Sequence, residues 1–200
     1  MTIHNVILAG VGGSGIVLVT RVLTRSAVKS GLQVRVGEAH GLAQRGGSVT
    51  SHVRIGDDEV KRVGVIVPRG AGDILVGFEP AETLRCLRLV KNKESLILVN
   101  TSTVHSPVHH ARYEEYPPLD AIISVLRSHA GDLRTVNASS LAASAGNAIA
   151  ENMVMLGLLI GSKRIPEISR DCVEEQLRQI VPKSLLNVNL KAFELGRRQF

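Results

Sequence analysis

Apolar positions along the 200-residue chain fall into short bounded runs that switch between a period of two and a period near 3.6. The first run, Asn5-Val6-Ile7-Leu8-Ala9, stops abruptly at Gly10-Val11-Gly12-Gly13-Ser14-Gly15, which predicts a strand, a tight turn and a helix start. The helix predicted over 14–29 places Ile16, Val19, Val22, Leu23 and Ala27 on its inner face and Arg21, Arg25 and Lys29 on its outer face. A second strand is predicted over 32–36, after a helix stop at Gly31. Val49, Ser51, Val53 and Ile55 then alternate with Thr50, His52 and Arg54, the pattern of a half-buried strand. Gly56-Asp57-Asp58 predicts a hairpin turn into a partner strand over 59–63, with a further apolar segment over 63–67 that ends at Pro68.

The second half reads as strand over 74–77, helix from Pro80 to about 90, strand over 95–99, helix over 119–128 and short strand over 133–136. Asn137 resembles a helix cap. A largely apolar helix is predicted over 147–160, with Gly157 and Gly161 permitting close approach and Met153 and Met155 filling gaps. Pro166 is read as opening an amphipathic helix over 167–181, with Ile168, Cys172, Val173, Leu177 and Ile180 inward, and a last helix over 183–198 uses Leu186, Leu190 and Phe193. Together these elements predict an α/β fold: a Rossmann-like, open, mostly parallel sheet with an antiparallel hairpin insertion and additional C-terminal helices. The whole chain, 1–200, is expected to form one domain, with 147–200 as its helical extension.

Composition narrows the function. Two cysteines, Cys86 and Cys172, are too few for a disulfide framework or for a four-cysteine iron–sulfur cluster, so inert thiols in a reduced compartment are expected. The chain opens on its first strand without a basic and then apolar leader, and its longest apolar run, 153–160, falls well short of the roughly 20 residues of a membrane span. A cytoplasmic protein without membrane contact is expected. The 24 Lys and Arg against 18 Asp and Glu give a net charge of +6, but the cations are scattered and aromatics are only 2% of residues. Base-stacking platforms need aromatics, so no nucleic-acid partner is expected. An anionic small molecule or an acidic protein fits better.

The candidate chemistry is concentrated in two glycine clusters. Gly10, Gly12 and Gly15 fit the G-x-G-x-x-G spacing, which turns a strand sharply, lets backbone approach a phosphate and presents a helix N-terminus to an anion. Glu38 lies at a distance compatible with the acidic residue that takes ribose hydroxyls in an NAD-binding Rossmann unit. A stand-alone NAD-type oxidoreductase is therefore one reading. The second cluster, His40-Gly41-Leu42-Ala43-Gln44-Arg45-Gly46-Gly47-Ser48, is too glycine-rich for an ordinary helix. Its backbone donors, guanidinium and hydroxyl suit a phosphate or carboxylate, and its glycines equally suit a bulge feeding the following strand. His105, His109 and His110 raise metal ligation, against a solvated loop as the plain alternative; no further ligands or rigid frame are visible and no metal is expected. No nucleophile elbow and no Walker lysine is present, so the chain reads as an anion-binding domain that serves a partner.

The first glycine loop, the Glu38 to Val49 segment and the Asn152-Met153 and Leu156-Gly157 pairs together resemble the gamma-type domain of 2-oxoacid:ferredoxin oxidoreductases, over nearly the whole chain. Gln44-Arg45-Gly46-Gly47-Ser48 is the discriminating part, and Gly41-Leu42-Ala43-Gln44, where pyruvate-type relatives tend to have proline and an acidic residue, points to the indolepyruvate branch. The resemblance implies oxidative decarboxylation of an aryl 2-oxoacid such as indolepyruvate, with coenzyme A and oxidised ferredoxin, to the acyl-CoA, carbon dioxide and reduced ferredoxin. It implies no cofactor on this chain, thiamine diphosphate and iron–sulfur clusters on a large (alpha) partner subunit, coenzyme A as co-substrate, and ferredoxin as a partner through the complex. Carried over by position, Gly10, Gly12, Gly13, Ser14, Gly15, Arg45, Gly46, Gly47 and Ser48 are the expected ligand-facing or partner-facing set.

Overall fold

The computed structural model describes residues 3–41, 46–103 and 116–200. Its elements are β1 (His4–Val11), α1 (Ile16–Lys29), β2 (Gln33–His40), β3 (Ser48–Gly56), β4 (Ile74–Gly77), α2 (Pro80–Cys86), β5 (Leu96–Asn100), α3 (Leu119–His129), β6 (Asp132–Val136), α4 (Ala138–Ala145), α5 (Glu151–Gly161), α6 (Arg170–Ile180) and α7 (Lys183–Arg197). The six strands form one sheet in the order β2-β3-β1-β4-β5-β6. β1, β4, β5 and β6 are parallel neighbours, while β3 runs antiparallel to both β1 and β2. This is the expected α/β class with its antiparallel insertion.

β1 lies inside the sheet with a layer on either side, which is why its apolar run is continuous rather than alternating. Val6 and Leu8 join the large core beneath α1, α5 and α7, with Ile16, Val19, Val22, Leu23, Met153 and Phe193. Ile7 and Ala9 point to the other face, against Val67, Leu75, Val90 and Ile97. The inner residues predicted for α1 are all buried. α5 is buried nearly all round, from Asn152 to Leu159.

Several boundaries differ from the sequence reading, each for a local reason. The hairpin predicted at Gly56-Asp57-Asp58 and its partner strand over 59–63 are replaced by a 3-10 helix, Asp58–Arg62, whose start is capped by the Asp57 carboxylate accepting from the Glu59 amide at 3.1 Å. Both edges of β3 are already taken by β2 and β1, so no further strand can pair there. The apolar stretch 63–67 instead crosses the face of β2, close enough that a Cβ on Gly37 would sit 2.9 Å from Ile66 Cδ1. α2 ends at Cys86, and one 3-10 turn, Leu87–Leu89, completes the span predicted as helix. The helix predicted over 147–160 begins only at Glu151, because Asn147 caps a separate 3-10 turn, Ala148–Ala150, by accepting from the Ile149 amide at 3.0 Å. α6 is opened by Ser169, whose hydroxyl accepts from the Cys172 amide at 3.2 Å, and not by Pro166.

Candidate functional site

In open α/β sheets the ligand crevice lies at the carboxyl ends of the strands, where the chain leaves neighbouring strands in opposite directions. Here that point falls between β1 and β4: from β1 the chain moves outward to β2, and from β4 it moves the other way to β5. The first glycine loop occupies this position. Ser14 turns it tightly, its amide donating to Val11 O at 3.1 Å and its hydroxyl donating to the same oxygen at 2.6 Å. Gly13 (φ +101°) and Gly15 (φ +76°) take left-handed conformations. Gly15 precedes α1 with no side-chain cap among the described residues, and α1 has no acidic residue in its first turn, so its first amides have no side-chain acceptor there.

The glycines divide the work. Gly10 is buried, and a Cβ there would meet Phe78 Cβ at 2.9 Å, so its lack of a side chain serves sheet packing. A Cβ on Gly15 would lie 2.2 Å from Asn152 Nδ2, so Gly15 lets the start of α5 press against the start of α1. Around Gly13 no atom of the described residues lies within 4 Å of such an atom.

The second cluster meets the first directly. The Gly12 amide donates to Gly47 O at 2.8 Å, the Gly46 amide donates to Gly12 O at 3.4 Å, and Val11 and Ser48 are register partners. Gly10, Gly12, Gly13, Ser14, Gly15, Gly46, Gly47 and Ser48, separated by about 30 residues in sequence, thus share one end of the sheet. Arg45 lies outside the described residues, as do His105, His109 and His110. Among the described residues no group of three His, Cys, Asp or Glu side chains is placed to hold a metal, and no helix is long and apolar enough to cross a membrane. Among the described residues β2 and β3 pair without interruption from Gln33↔Gly56 to His40↔Val49, and the Gly41 amide donates to Ser48 O at 2.7 Å, so no bulge interrupts this ladder.

Glu38 is not at the ribose position. β3 stands between β2 and β1, placing Glu38 about 10 Å from β1 across two strand spacings, level with Leu8 rather than with the loop. Its carboxylate pairs with His40 at 3.2 Å. The topology therefore removes the geometric basis of the NAD reading.

The sequence reading missed a polar network beside the loops. Asn100, 1% exposed at the end of β5, accepts from the Ser102 and Ala138 amides and donates to Phe78 O, tying together the carboxyl ends of β4, β5 and β6. Its amide also reaches Glu151 at 3.4 Å, and Ser139 donates to the same carboxylate oxygen. Glu79, fully buried, caps α2 through the Glu82 amide at 2.8 Å and accepts from the Tyr116 hydroxyl. Burial, reinforced by that carboxylate, pushes the Tyr116 hydroxyl well above its ordinary range. The polar run after β5 was the visible signal; Glu151 was hidden because it opens a helix that reads as core, while Asn152 was singled out only through the family resemblance. Burial likewise raises the Cys86 thiol, in keeping with an inert packing role.

The chain belongs to the pyruvate ferredoxin/flavodoxin oxidoreductase family, whose family model matches residues 5–199, and it is a subunit of a 2-oxoacid:ferredoxin oxidoreductase. It is 38% identical to indolepyruvate oxidoreductase subunit IorB of Archaeoglobus fulgidus, over 98% of this chain and 94% of that protein. Its fold matches the crystal structure of the keto/oxoacid ferredoxin oxidoreductase gamma subunit from Geobacter sulfurreducens, with a TM-score of 0.68 at 20% identity over 98% of this chain and 97% of that one. It also matches 31% of a chain of 2-oxoglutarate:ferredoxin oxidoreductase from Magnetococcus marinus, a structure with 2-oxoglutarate, coenzyme A and succinyl-CoA bound, with a TM-score of 0.74 at 17% identity over 100% of this chain.

Proposed function

We propose that this chain is the non-cofactor subunit of a thiamine diphosphate-dependent indolepyruvate (arylpyruvate):ferredoxin oxidoreductase acting in the cytoplasm. The complex converts an aryl 2-oxoacid and coenzyme A, with oxidised ferredoxin, to the aryl-acetyl-CoA, carbon dioxide and reduced ferredoxin. Thiamine diphosphate and iron–sulfur clusters on the large (alpha) subunit supply the decarboxylation and electron transfer. The identity to an indolepyruvate oxidoreductase subunit supports the substrate class.

One observation carries the role of this chain: Gly12 bridges the two glycine loops in front of the start of α1, which has no side-chain cap among the described residues. Backbone donors at a helix N-terminus, with no described atom within 4 Å of a Cβ on Gly13 and with Arg45 in the second loop, suit a pyrophosphate. In this reading Gly12, Gly13, Gly46, Gly47 and Arg45 face coenzyme A, while Gly10, Ser14, Gly15 and Ser48 hold the loops in shape. These residues bind and orient; they transfer no proton.

Co-expression with the large subunit should yield a stable complex whose arylpyruvate-dependent and coenzyme A-dependent ferredoxin reduction requires both chains. Full activity from the large subunit alone would overturn the proposal. Calorimetric titration separates it from a stand-alone NAD-type oxidoreductase: coenzyme A should bind and NAD should not, and tight NAD binding without a coenzyme A response would reverse the reading.

A further inference from the structure

An apolar cleft adjoins the first glycine loop and belongs neither to the core nor to the anion site. It has a volume of about 160 Å³ and lies where the start of α1, the 3-10 turn Ala148–Ala150 and the start of α7 converge. Leu18 and Val188 join its walls to the main core, while Ile149 (84% exposed) and Leu185 (45%) are its exposed side chains. None of its described lining residues is charged, in a chain where 21% of residues are. Asn152 lines the cleft and also packs against Gly15, so cleft and glycine loop are neighbours through one side chain.

Ile149 is held in place by its turn. The Asn147 side chain accepts from the Ile149 amide at 3.0 Å, the Ala150 amide donates to Asn147 O at 3.1 Å, and the Asn147 amide donates to Ala142 O at 3.1 Å, tying the turn to α4. An apolar group on a fixed support loses little freedom on binding. One exposed isoleucine is ordinary on a monomer surface. Ile149 beside Leu185 over an uncharged cleft has instead the makeup of an interface centre, where charge is depleted. Exposed apolar side chains elsewhere keep charged company: Val28 shares a second cleft with Arg25 and Lys29, and the Arg134 guanidinium lies 4.7 Å over the Phe200 ring.

The chain is a subunit of an oxidoreductase complex, so one of its faces is covered in the assembled enzyme. We infer that this cleft is the centre of that contact, where the large subunit inserts one bulky apolar or aromatic side chain and packs around Ile149 and Leu185. An apolar cavity of about 150 Å³ takes a benzene-sized guest, which sets the size of the inserted group. Position selects the occupant. A ligand held at the glycine loops reacts only when the groups this chain lacks are brought to that end of the sheet, and the cleft lies at that end. A second copy seated there would set two such loops against each other without supplying those groups. The inference rests on the proposed division of labour between this chain and the large subunit.

The test measures association of the full chain with the large subunit, by co-purification of the co-expressed pair and by sedimentation. Ile149→Asp should raise the Kd of the pair by about thirtyfold, and Leu185→Gln by about fivefold. The circular dichroism and melting temperature of the chain should not change, since both side chains are exposed. Val28→Asp, outside the cleft, should leave the Kd as it is. An unchanged Kd in Ile149→Asp, or an equal loss in Val28→Asp, would overturn the docking role; if Ile149→Asp lowers the melting temperature, Leu185→Gln decides by the same criterion. Dimerisation of the wild-type chain alone that Ile149→Asp abolishes would overturn it in favour of a second copy. A wild-type pair that assembles and is weakened by Ile149→Asp, yet turns over no arylpyruvate, would support the docking surface and overturn only the proposed reaction. Failure of the wild-type chains to associate would overturn both.

Discussion

Glycine is used in two opposite ways in this molecule. At the carboxyl end of β1, Gly13 and Gly15 sit at positive φ, where the backbone itself needs a residue without Cβ. Between α5 and α7, Gly157, Gly161 and Gly196 have ordinary helical backbone and are needed because the helices touch: a Cβ on Gly157 would lie 2.0 Å from Phe193 O, and one on Gly196 would lie 2.0 Å from Val154 O. Gly13 shapes a loop surface, Gly15 joins that loop to the start of α5, and the second group closes a core. The helix contact should therefore be costly to disturb and remote from ligand, and the loop should be cheaper to disturb and close to ligand.

Gly157→Ala probes the closed end of that contrast. Its added methyl meets backbone that cannot swing aside, so a loss of about 3 kcal/mol is expected, read as an earlier urea midpoint. For a domain of this size that corresponds to a melting temperature lower by about 10 °C. An unchanged midpoint would mean that the helices separate freely, and the contrast would fail.

Gly15→Ala should cost about 2 kcal/mol, since its φ is unfavourable for alanine and the new methyl strikes Asn152. Adding Asn152→Ala should recover the steric part only, which divides conformation from collision. Gly13→Ala should cost about 1 kcal/mol, from φ alone, because no atom of the described residues lies within 4 Å of the added methyl. Its larger consequence is expected in calorimetry, as weakened coenzyme A binding with the fold intact. Equal coenzyme A affinity for wild type and Gly13→Ala would detach the loop from the ligand.

The smallest effect concerns charge on α7. Hydrogen bonds from Arg197, opposed by partial burial and aided by Arg198, hold the Glu194 carboxyl at about 2, below its ordinary 4.5. A carboxyl depressed in the folded state stabilises it above the ordinary value and loses that contribution as pH falls through the folded one. Glu194→Gln should thus melt slightly earlier than wild type at neutral pH, with the gap narrowing between pH 4.5 and 2. A gap that widens on acidification would show that the carboxylate destabilises the helix contact.

Much of this architecture was legible because it is local. β1, α1, β4 and β6 follow from apolar period and turn chemistry, and Gly157 and Gly161 read as close-approach positions from their spacing in an apolar run. The strand expected over 59–63 failed because residue propensity carries no information about whether a sheet edge is free. Glu38 looked suitable as a ribose ligand because sequence distance was taken to mean an adjacent strand, and β3 inserted itself between.

The glycine spacings, the absence of a nucleophile elbow or Walker lysine and the surplus of Lys and Arg are properties of the chain itself, and they alone indicated an anion-binding partner subunit. Only tertiary structure decided that Gly12 would bond to Gly46 and Gly47, that Asn152 would press on Gly15, and that Gln176 would hold Arg25 from another helix. Each of these contacts joins segments about 30 to 150 residues apart, where register and helix packing determine the neighbour. The loop that opens the fold is therefore set by its own residues in shape and by distant ones in surroundings.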